Sequence, residues 1–414
     1  MQIDWYSHYF TPEVGAPSAR INDLSRNFIN RGHQVHVNTC YPNHPHGTLY
    51  PGYRHGLYME ETLQGITISR YGTYIAANRG FVKKLAGHIS FIISSLTQSH
   101  RNRFQADINI GTSPTFFAAI AAAMQSLRHK IPFVMEVRDL WPAIFVELGV
   151  LKNKHLIAML ETLELWLYRR ATRVVTVTQA FRQDMIARGV SPDKVVNIPN
   201  GADLDYWTPQ ERDQQLVGRL GLRDKFVVLY IGAHGISHAL RRILESAAML
   251  KEHHSIHFLF VGDGAEKPAL VEYARQAELD NVTFHKSVTK DEVKSFYALS
   301  DVCLVPLRDI PLFDAFIPSK MFEIMAMERP IVASLKGEAA DIINRSGNGI
   351  VVPPEDAGAI KDAILSMFNN QLLNLELGRS GRRFVNEHYN RRSLADRYLE
   401  VLSEARDTYN RKHT

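Results

Sequence analysis

Short apolar runs alternate with amphipathic helical segments through most of the chain, and this alternation is the strongest constraint on its fold. In the first half, a helical pattern at 17–31 precedes a strand-like run at 34–39, and another at 115–127 precedes a run at 132–137. Strands that alternate with helices over short loops predict a parallel sheet covered on both faces, because each crossover helix packs on the sheet. We therefore expect an α/β protein built from doubly wound sheets.

The segment Pro199–Asp203 breaks this alternation, and a run of low helix and strand propensity over 207–219 follows it. At 414 residues the chain exceeds what one hydrophobic core usually serves. We therefore predict one domain over 1–202 and a second over 203–390. The long amphipathic helix predicted over 391–410 is expected to pack back on the first domain. Doubly wound sheets bind ligands at the carboxyl ends of their strands, so both domains should face one interdomain cleft.

The two cysteines, Cys40 and Cys303, lie far apart in apolar runs. We expect buried thiols in a reducing compartment rather than a disulfide or a metal site. The chain opens directly into a strand-like segment instead of a signal sequence, and no apolar run reaches the ~20 residues that span a bilayer. These observations predict a cytoplasmic protein.

Positive charge is concentrated in the first half of the chain. Residues 1–200 carry 21 Lys and Arg against 13 Asp and Glu, whereas residues 201–414 carry 27 against 30. A basic half favours an anionic partner, either nucleic acid or an anionic membrane surface, over a chance asymmetry.

The stretch 317–334 runs from a polar turn through an amphipathic helix into a short apolar strand, with Ser319, Lys320 and Glu323 near the predicted helix start. Helix-terminal amides and a lysine attract phosphate, and a carboxylate can accept paired hydrogen bonds from vicinal hydroxyls. Phosphate and diol together describe a nucleotide. An ordinary strand–helix unit with a surface lysine is the alternative.

Three further strand-to-helix turns are candidate ligand sites. Gly15 and Ala16 let the backbone approach a ligand, and Arg20 follows one turn into the next helix. Arg138 and Asp139 end a strand, where the first could pair with a phosphate and the second could hold or deprotonate an acceptor hydroxyl. Each turn could equally be a structural cap or a surface ion pair.

The third turn, 231–237, follows the first strand of the second domain. Gly232 and Gly235 are small enough to bring amides up to a diphosphate, and His234 could donate a hydrogen bond or be merely structural. The nearest dinucleotide fingerprint, Gly262-Asp263-Gly264, lacks its third glycine. We do not expect NAD.

The segment 79–103 combines an apolar helical stripe that includes Phe81 with the basic residues Lys83 and Lys84. Such a helix can lie on an anionic membrane surface, and the additional apolar residues Phe91 and Ile93 widen the stripe. The alternative is a core helix with a basic exterior. We favour the membrane surface and expect no nucleic acid partner.

Taken together, these segments resemble the retaining glycosyltransferases of family 4, which have the GT-B fold of two Rossmann-like domains. The resemblance rests on the Pro-Glu-Val-Gly-Ala loop at 12–16 and on four further stretches, at 167–178, 196–203, 261–264 and 323–334. Arg-Asp-Leu-Trp-Pro with Pro-Ser-Lys-Met-Phe-Glu is similar to the branch that builds bacterial surface polysaccharides, including L-fucosamine transferases of O-antigen synthesis and colanic-acid transferases.

The resemblance implies roles for matching positions. The second domain would bind the nucleotide-sugar donor, with Glu323 on the ribose and Lys320 near the phosphates or sugar. Residues Lys286–Val288, which include Ser287 and Val288, would line the base. Gly15 and Ala16 would lie near the diphosphate. Asp139 would meet the acceptor and the donor sugar in the first, acceptor-binding domain.

Two departures from the family pattern affect the donor site. The first glutamate of the family's pair would fall at Ala315, so that its contact is missing or is supplied by Asp314. The family's usual arginine and lysine align near Ala233 and His238. Diphosphate neutralisation would then rest on amides, on Lys320, and on Arg241 or Arg308.

The resemblance therefore implies a retaining transfer from a UDP-sugar to a polyprenyl-diphosphate-linked saccharide, in O-antigen or exopolysaccharide synthesis, with N-acetyl-L-fucosamine as one candidate sugar. The enzyme would act at the inner face of the cytoplasmic membrane. It would need no cofactor, and because no Asp-x-Asp motif stands near a strand end, no metal. A UDP-sugar 2-epimerase of the same architecture and a non-catalytic sugar-nucleotide-binding protein are the alternatives.

Overall fold

The computed structural model describes residues 1–13, 15–44, 47–75, 81–113, 116–147 and 149–413. The chain divides into two compact units, Met1–Pro199 with Arg392–Thr414, and Asn200–Arg391. The break after Pro199 falls three residues before the one placed from the sequence.

The fourteen strands of the described residues all belong to two sheets. Their bounds are β1 Gln2–Tyr6, β2 Gln34–Cys40, β3 Tyr58–Leu63, β4 Ile66–Tyr71, β5 Ile108–Thr112, β6 Phe133–Val137, β7 Arg173–Thr176, β8 Val195–Asn197, β9 Phe226–Ile231, β10 Ile256–Val261, β11 Val282–His285, β12 Val302–Pro306, β13 Ile331–Ser334 and β14 Gly349–Val352.

Helices connect most of these strands. Their bounds are α1 Ala16–Asn30, α2 Phe81–Gln98, α3 Phe116–His129, α4 Ala143–Glu147, α5 Lys154–Arg170, α6 Gln179–Ala187, α7 Gln214–Arg219, α8 Leu240–Met249, α9 Lys267–Gln276, α10 Lys290–Leu299, α11 Lys320–Ala326, α12 Gly337–Ser346, α13 Ala357–Asn369, α14 Gln371–His388 and α15 Arg391–His413.

The first unit holds an eight-stranded sheet in the order β3-β4-β2-β1-β5-β6-β7-β8. Neighbouring strands are parallel except for β3, which pairs antiparallel with β4. The sequence analysis missed β3, whose alternating polar residues suit a strand at the edge of a sheet. The predicted doubly wound arrangement is otherwise confirmed.

The core on one face of this sheet combines residues from both ends of the chain. Trp5 of β1 packs with Phe28 of α1 and Tyr398 of α15, at ring-centroid distances of 6.2 and 5.9 Å. Leu394 and Leu402 of α15 belong to the same buried cluster. Helix α15 therefore completes the core of the first unit, although it follows the second unit in sequence.

The second unit holds a six-stranded, wholly parallel sheet in the order β11-β10-β9-β12-β13-β14. Its strands are almost continuously apolar, as expected when both faces are covered. One core cluster joins Val228 and Tyr230 of β9 to Leu244 of α8 and Ile364 of α13. The reversal of strand order lies between β9 and β12.

Removal of side-chain volume from α15 should destabilise the first unit. Leu402 is fully buried, so Leu402→Ala is expected to cost about 2–5 kcal/mol of unfolding free energy, measured by urea denaturation. Leu372→Ala is the matched control, because Leu372 is 77% exposed on α14. A loss below about 1 kcal/mol for Leu402→Ala would contradict this account of α15.

Candidate functional site

In the second unit, the predicted donor residues gather at the carboxyl edge of the sheet. Gly232, His234 and Gly235 follow β9, Ser287 and Val288 follow β11, and the segment that leads to Lys320 and Glu323 follows β12. Strands β9 and β12 are the neighbours between which the strand order reverses. In open parallel sheets this switch point is where ligands bind.

Lys320 is held directly against this edge by its side chain. Its Nζ donates a hydrogen bond to the carbonyl oxygen of Ile231 at 3.0 Å and lies 4.3 Å from the ring centroid of Tyr230. Burial lowers the pKa of Lys320 to about 8, against the favourable charge of Glu323. The amine is therefore a cation whose charge is poorly compensated, which favours an incoming anion.

The glycines after β9 have different surroundings. A Cβ atom at Gly232 would lie 2.7 Å from Lys320 Nζ, and the φ of 143° at this position favours glycine. A Cβ atom at Gly235 would meet no atom within 4 Å. The backbone at Gly235 therefore borders open space, as the prediction of a diphosphate-binding loop requires.

The ring of His234 lies beneath this loop rather than at its surface. It is fully buried near Tyr230, Phe260 and Phe284, and neither ring nitrogen has a hydrogen-bond partner among the described residues. Burial, followed by the charge of Lys267, lowers the pKa of His234 to about 4. His234 thus supports the loop as a neutral ring, and its predicted direct contact with a donor has no support in this geometry.

The turn Val261–Gly264 serves as a backbone contact between two loops. A Cβ atom at Gly262, whose φ is 138°, would lie 2.0 Å from the carbonyl oxygen of Gly232. The backbone amide of His234 donates to the carbonyl oxygen of Asp263 at 2.8 Å. These glycines therefore allow the loops after β9 and β10 to touch.

Glu323 lies on the first turn of α11 and is partly buried. Its Oε2 accepts a hydrogen bond from the buried hydroxyl of Tyr297 at 3.3 Å. Burial raises the pKa of Glu323, whereas the positive charges of Arg391 and Lys290 oppose this shift. A carboxylate held by one hydroxyl keeps further acceptor capacity for a diol.

The remaining donor positions lie where solvent or ligand can reach them. Ser287 is exposed and Val288 is partly buried, in the turn between β11 and α10. Ser319 precedes α11 and makes no side-chain cap hydrogen bond. Ala315 ends a short 3-10 turn, and the neighbouring Asp314 is exposed.

The proposed substitutes for the family's missing positive charges are not equivalent. Arg241 stacks 3.3 Å from the ring centroid of Tyr273 and donates to Glu245. Arg308 Nε lies 4.0 Å from Glu355. Burial, then the charge of Lys320, lowers the pKa of His238 to about 4, so that its ring is neutral. Of the cations predicted from the sequence, Lys320 is the one whose side chain donates to a strand-end carbonyl oxygen.

In the first unit, Arg138 and Asp139 follow β6 at the carboxyl edge, as predicted. The hydroxyl of Ser113 accepts hydrogen bonds from both of their backbone amides, at 2.7 and 3.2 Å. Burial lowers the pKa of Arg138 to about 10 and raises the pKa of Asp139 to about 6, although Arg138 opposes the second shift. A carboxyl with a pKa near 6 can hold or exchange a proton at neutral pH.

Arg20, which the sequence analysis placed in a candidate ligand turn, points into the first unit. Its side chain is buried, and Nε donates to Glu136 Oε1 at 2.9 Å. Two further N–H groups donate to the carbonyl oxygens of Pro199 and Ile198, both at 3.1 Å. The side chain of Arg20 therefore links α1 to β6 and to the segment that follows β8.

The loop before α1 is organised by a glutamate to which the sequence analysis gave no role. Glu13 accepts backbone hydrogen bonds from Phe10 at 3.2 Å and from Asn43 and His44 at 2.8 and 2.9 Å. Gly15 caps α1 with an exposed, extended backbone. The side chain of Ala16 lies outside the described part of the structure. A carboxylate beside Pro and Gly in a ligand loop was the available signal.

Helix α2 is a core helix with an apolar exterior, which changes the predicted stripe. Phe91, counted toward the membrane face, is fully buried instead, because it lies against Tyr71 and His8. Ile89 and Ile93, one turn apart, are 43% and 58% exposed, and Lys83 is exposed. Arg79, Gly80 and the side chains of Phe81 and Lys84 lie outside the described residues.

Comparison with known proteins decides the family. Residues 15–201 match the glycosyl transferase 4-like domain, and residues 225–370 match the glycosyl transferases group 1 domain. The chain belongs to the GT-B glycosyltransferases of family 4. The recognised family and the predicted fold are thereby confirmed.

The curated relatives of this chain are distant. It is 24% identical over 241 residues to alpha-D-kanosaminyltransferase of Streptomyces kanamyceticus, covering 57% of this chain and 61% of the relative. It is 28% identical over 218 residues to O-antigen chain mannosyltransferase C of Escherichia coli, covering 51% and 55%. The alignments thus span little more than half of each relative.

A solved structure with the same fold is that of HepE from Anabaena in complex with UDP and glucose. It has a TM-score of 0.73 and 16% sequence identity, and the match covers 97% of this chain and 99% of HepE. At this identity the likeness concerns the fold.

The described residues also show which helices could cross a membrane and which side chains could hold a metal ion. None of the helices found there is both long and apolar enough to cross a bilayer. No group of three or more His, Cys, Asp or Glu side chains is arranged there to hold a metal ion. The metal independence expected from the sequence stays a prediction.

The pKa of Lys320 should give the unfolding free energy a distinct pH dependence. Between about pH 8 and the ordinary lysine pKa of 10.5, the folded state has released this proton while the unfolded state still binds it. Stability contributed by this position therefore rises with pH in that window. Urea denaturation at about pH 7 and at about pH 10 should show that the unfolding free energy of wild type increases relative to that of Lys320→Met. Lys152→Met, at an exposed site, is the control and should show the same change in unfolding free energy with pH as wild type. If Lys320→Met also showed the wild-type change, the lowered pKa of Lys320 would be refuted.

Proposed function

We propose that this chain is a retaining glycosyltransferase that moves a sugar from a UDP-sugar to a lipid-linked saccharide of bacterial surface polysaccharide synthesis. The observation that carries the proposal is the placement of Lys320 against the end of β9, beside the open backbone at Gly235 and one helical turn from Glu323. This set offers a cation, a close backbone and a diol acceptor at one strand edge.

The catalytic role of Lys320 follows from where negative charge grows. When the glycosidic bond breaks, the electron pair remains on the leaving diphosphate, and a fixed cation nearby lowers the energy of that state. Because Lys320 is desolvated before the ligand arrives, its charge interacts strongly with the diphosphate. Its firm anchorage to the Ile231 carbonyl means that little reorganisation is needed during the reaction.

Glu323 is assigned to the donor ribose. Its carboxylate is oriented by Tyr297 and can accept hydrogen bonds from two vicinal hydroxyls. A nucleotide with both ribose hydroxyls should therefore bind better than its 2′-deoxy analogue. We choose UDP because HepE, which shares the fold, was solved with UDP.

The acceptor is assigned to the first unit, where Asp139 stands at the carboxyl edge with a pKa near 6. We assign it to hold the attacking hydroxyl, with Arg138 beside it. Front-face attack then leaves the acceptor proton on the donor phosphate, and no protein nucleophile is required. The transfer is proposed to proceed without a metal ion.

The two curated relatives are named for different sugars, kanosamine and mannose. The sugar of this chain therefore has to be determined, with N-acetyl-L-fucosamine as one candidate. Thermal stabilisation by a panel of UDP-sugars identifies the donor, since a ligand that binds the folded state raises apparent stability by mass action.

Incubation of the selected UDP-sugar with a polyprenyl-diphosphate-linked saccharide in EDTA tests the proposal. A glycosylated lipid with retained anomeric configuration supports it. Epimerised free donor would instead indicate a UDP-sugar 2-epimerase, and binding without turnover would indicate a non-catalytic protein. Transfer that requires added divalent metal would overturn metal independence alone.

Glu323→Ala should weaken UDP binding by about 1.5–3 kcal/mol, the value of hydrogen bonds to a charged group, as measured by calorimetry. Glu272→Ala provides the control, because Glu272 is an exposed glutamate on α9 paired with Arg275. Equal UDP affinities for both variants would sink the ribose assignment.

We also propose that the exposed face of α2 rests on an anionic membrane. Ile89 and Ile93 supply an apolar contact, and Lys83 supplies positive charge. The double change Ile89→Ser and Ile93→Ser should reduce sedimentation with anionic liposomes severalfold, whereas turnover of a soluble acceptor should persist.

Val271→Ser is the control for this membrane test, since Val271 is 41% exposed on α9 of the other unit. Lys83→Glu should weaken liposome binding at low salt more than at high salt, because salt screens surface charge. Unchanged sedimentation of the double variant would leave α2 as a core helix only.

A further inference from the structure

The first unit contains a cavity of about 600 Å³ beside the segments that lead into β5 and β6. Its walls include residues 102–106, which precede β5, and Ile131, which precedes β6. Because the strands are parallel, these segments lie at the amino-terminal edge, opposite to Asp139. This volume lies within the range of small-molecule sites.

The inner wall of the cavity carries buried amides whose hydrogen-bonding capacity is unused. Gln125 of α3 is 1% exposed, and neither its Oε1 nor its Nε2 has a partner among the described residues. Asn109 of β5 is also 1% exposed; its Nδ2 donates to the carbonyl oxygen of Ala122, and its Oδ1 is without a partner there. Buried amides are normally paired, and a bound molecule with hydroxyl groups would pair these.

Asp4 of β1 is a third polar group of this wall, and the protein holds it in one orientation. Its Oδ1 accepts from His36 Nδ1 at 2.6 Å and from Asn38 Nδ2 at 2.5 Å. His36 Nε2 lies 2.9 Å from the hydroxyl of Ser69. The Ser–His–Asp order resembles a hydrolytic triad, but Ser69 is fully buried and outside the cavity walls, so it serves to fix Asp4.

The charge distribution selects a neutral ligand. The inner wall consists of the two amides, the buried phenol of Tyr6 and the already engaged Asp4. An anion would meet a carboxylate there and no buried Lys or Arg among the lining residues. Arg103 and His129 line the exposed side, where water screens them. Phe104 adds the edge of an apolar ring, stacked 5.1 Å from His36.

We propose that this cavity binds a neutral polyhydroxylated small molecule of the size of a mono- or disaccharide. Each hydroxyl of such a ligand both donates and accepts, which suits amides that offer both functions and a carboxylate that accepts. The site is separate from the residues assigned to donor and acceptor, and it would act as a second saccharide site on the enzyme.

Saturation-transfer NMR on the full chain tests this, with methyl α-D-glucopyranoside, maltose and myo-inositol as probes and saturating UDP present. At least one probe should bind wild type, and Gln125→Leu should weaken that binding at least tenfold. Gln276→Leu, an exposed amide on α9, and Glu323→Ala should leave it unchanged. Gln125→Leu should also fold, since replacing an unpaired buried amide by an apolar group of similar shape costs little.

Several outcomes would overturn the proposal. They are the absence of binding by every probe at tens of millimolar, retained binding in Gln125→Leu, and loss of binding in Glu323→Ala. Tighter binding of glucose 6-phosphate than of the neutral probes would overturn the neutral ligand class. If Gln125→Leu does not fold, Arg103→Ala at the exposed rim replaces it, with weakened maltose binding as the supporting result and unchanged affinity as the contrary one.

Discussion

The second unit depends on close backbone contact between the loops that follow β9 and β10. Gly262 approaches the carbonyl of Gly232 so closely that no side chain fits between them. The ring of His234 is buried beneath these loops, and the amine of Lys320 lies beside Gly232 at the end of β9. The amine is thereby desolvated beside backbone dipoles, which is the condition under which a lysine gains most from a diphosphate.

The core of the first unit is assembled from both ends of the chain. Helix α15 buries Leu402 and Tyr398 against β1 and α1, and Arg20 ties α1 to Glu136 and to the segment that ends the first part of the unit. The stability of the unit that carries Arg138 and Asp139 therefore depends on contacts between residues distant in sequence. A buried arginine removed from such a network leaves a carboxylate uncompensated, which is costly.

The proposed saccharide cavity adjoins the segments that precede β5 and β6 of the same sheet. Carboxyl ends of parallel strands carry the residues assigned to chemistry, whereas the amino-terminal edge carries Gln125 and Asn109 with unpaired amide atoms. Unpaired buried amides reduce stability unless something satisfies them, so they are informative where a cavity adjoins them.

The sequence by itself determined the alternation of strands and helices, the two sheets, and the strand-end positions of Lys320, Glu323 and Asp139, because periodicity and turn residues are local properties. It could not distinguish the inward direction of Arg20 from an outward one, since both leave α1 amphipathic. It also placed Phe91 on the wrong side of α2 and left β3 undetected. Only tertiary packing decided that His234 is buried, that Lys320 is desolvated and that Gln125 borders a cavity, because burial depends on neighbours that are remote in the chain.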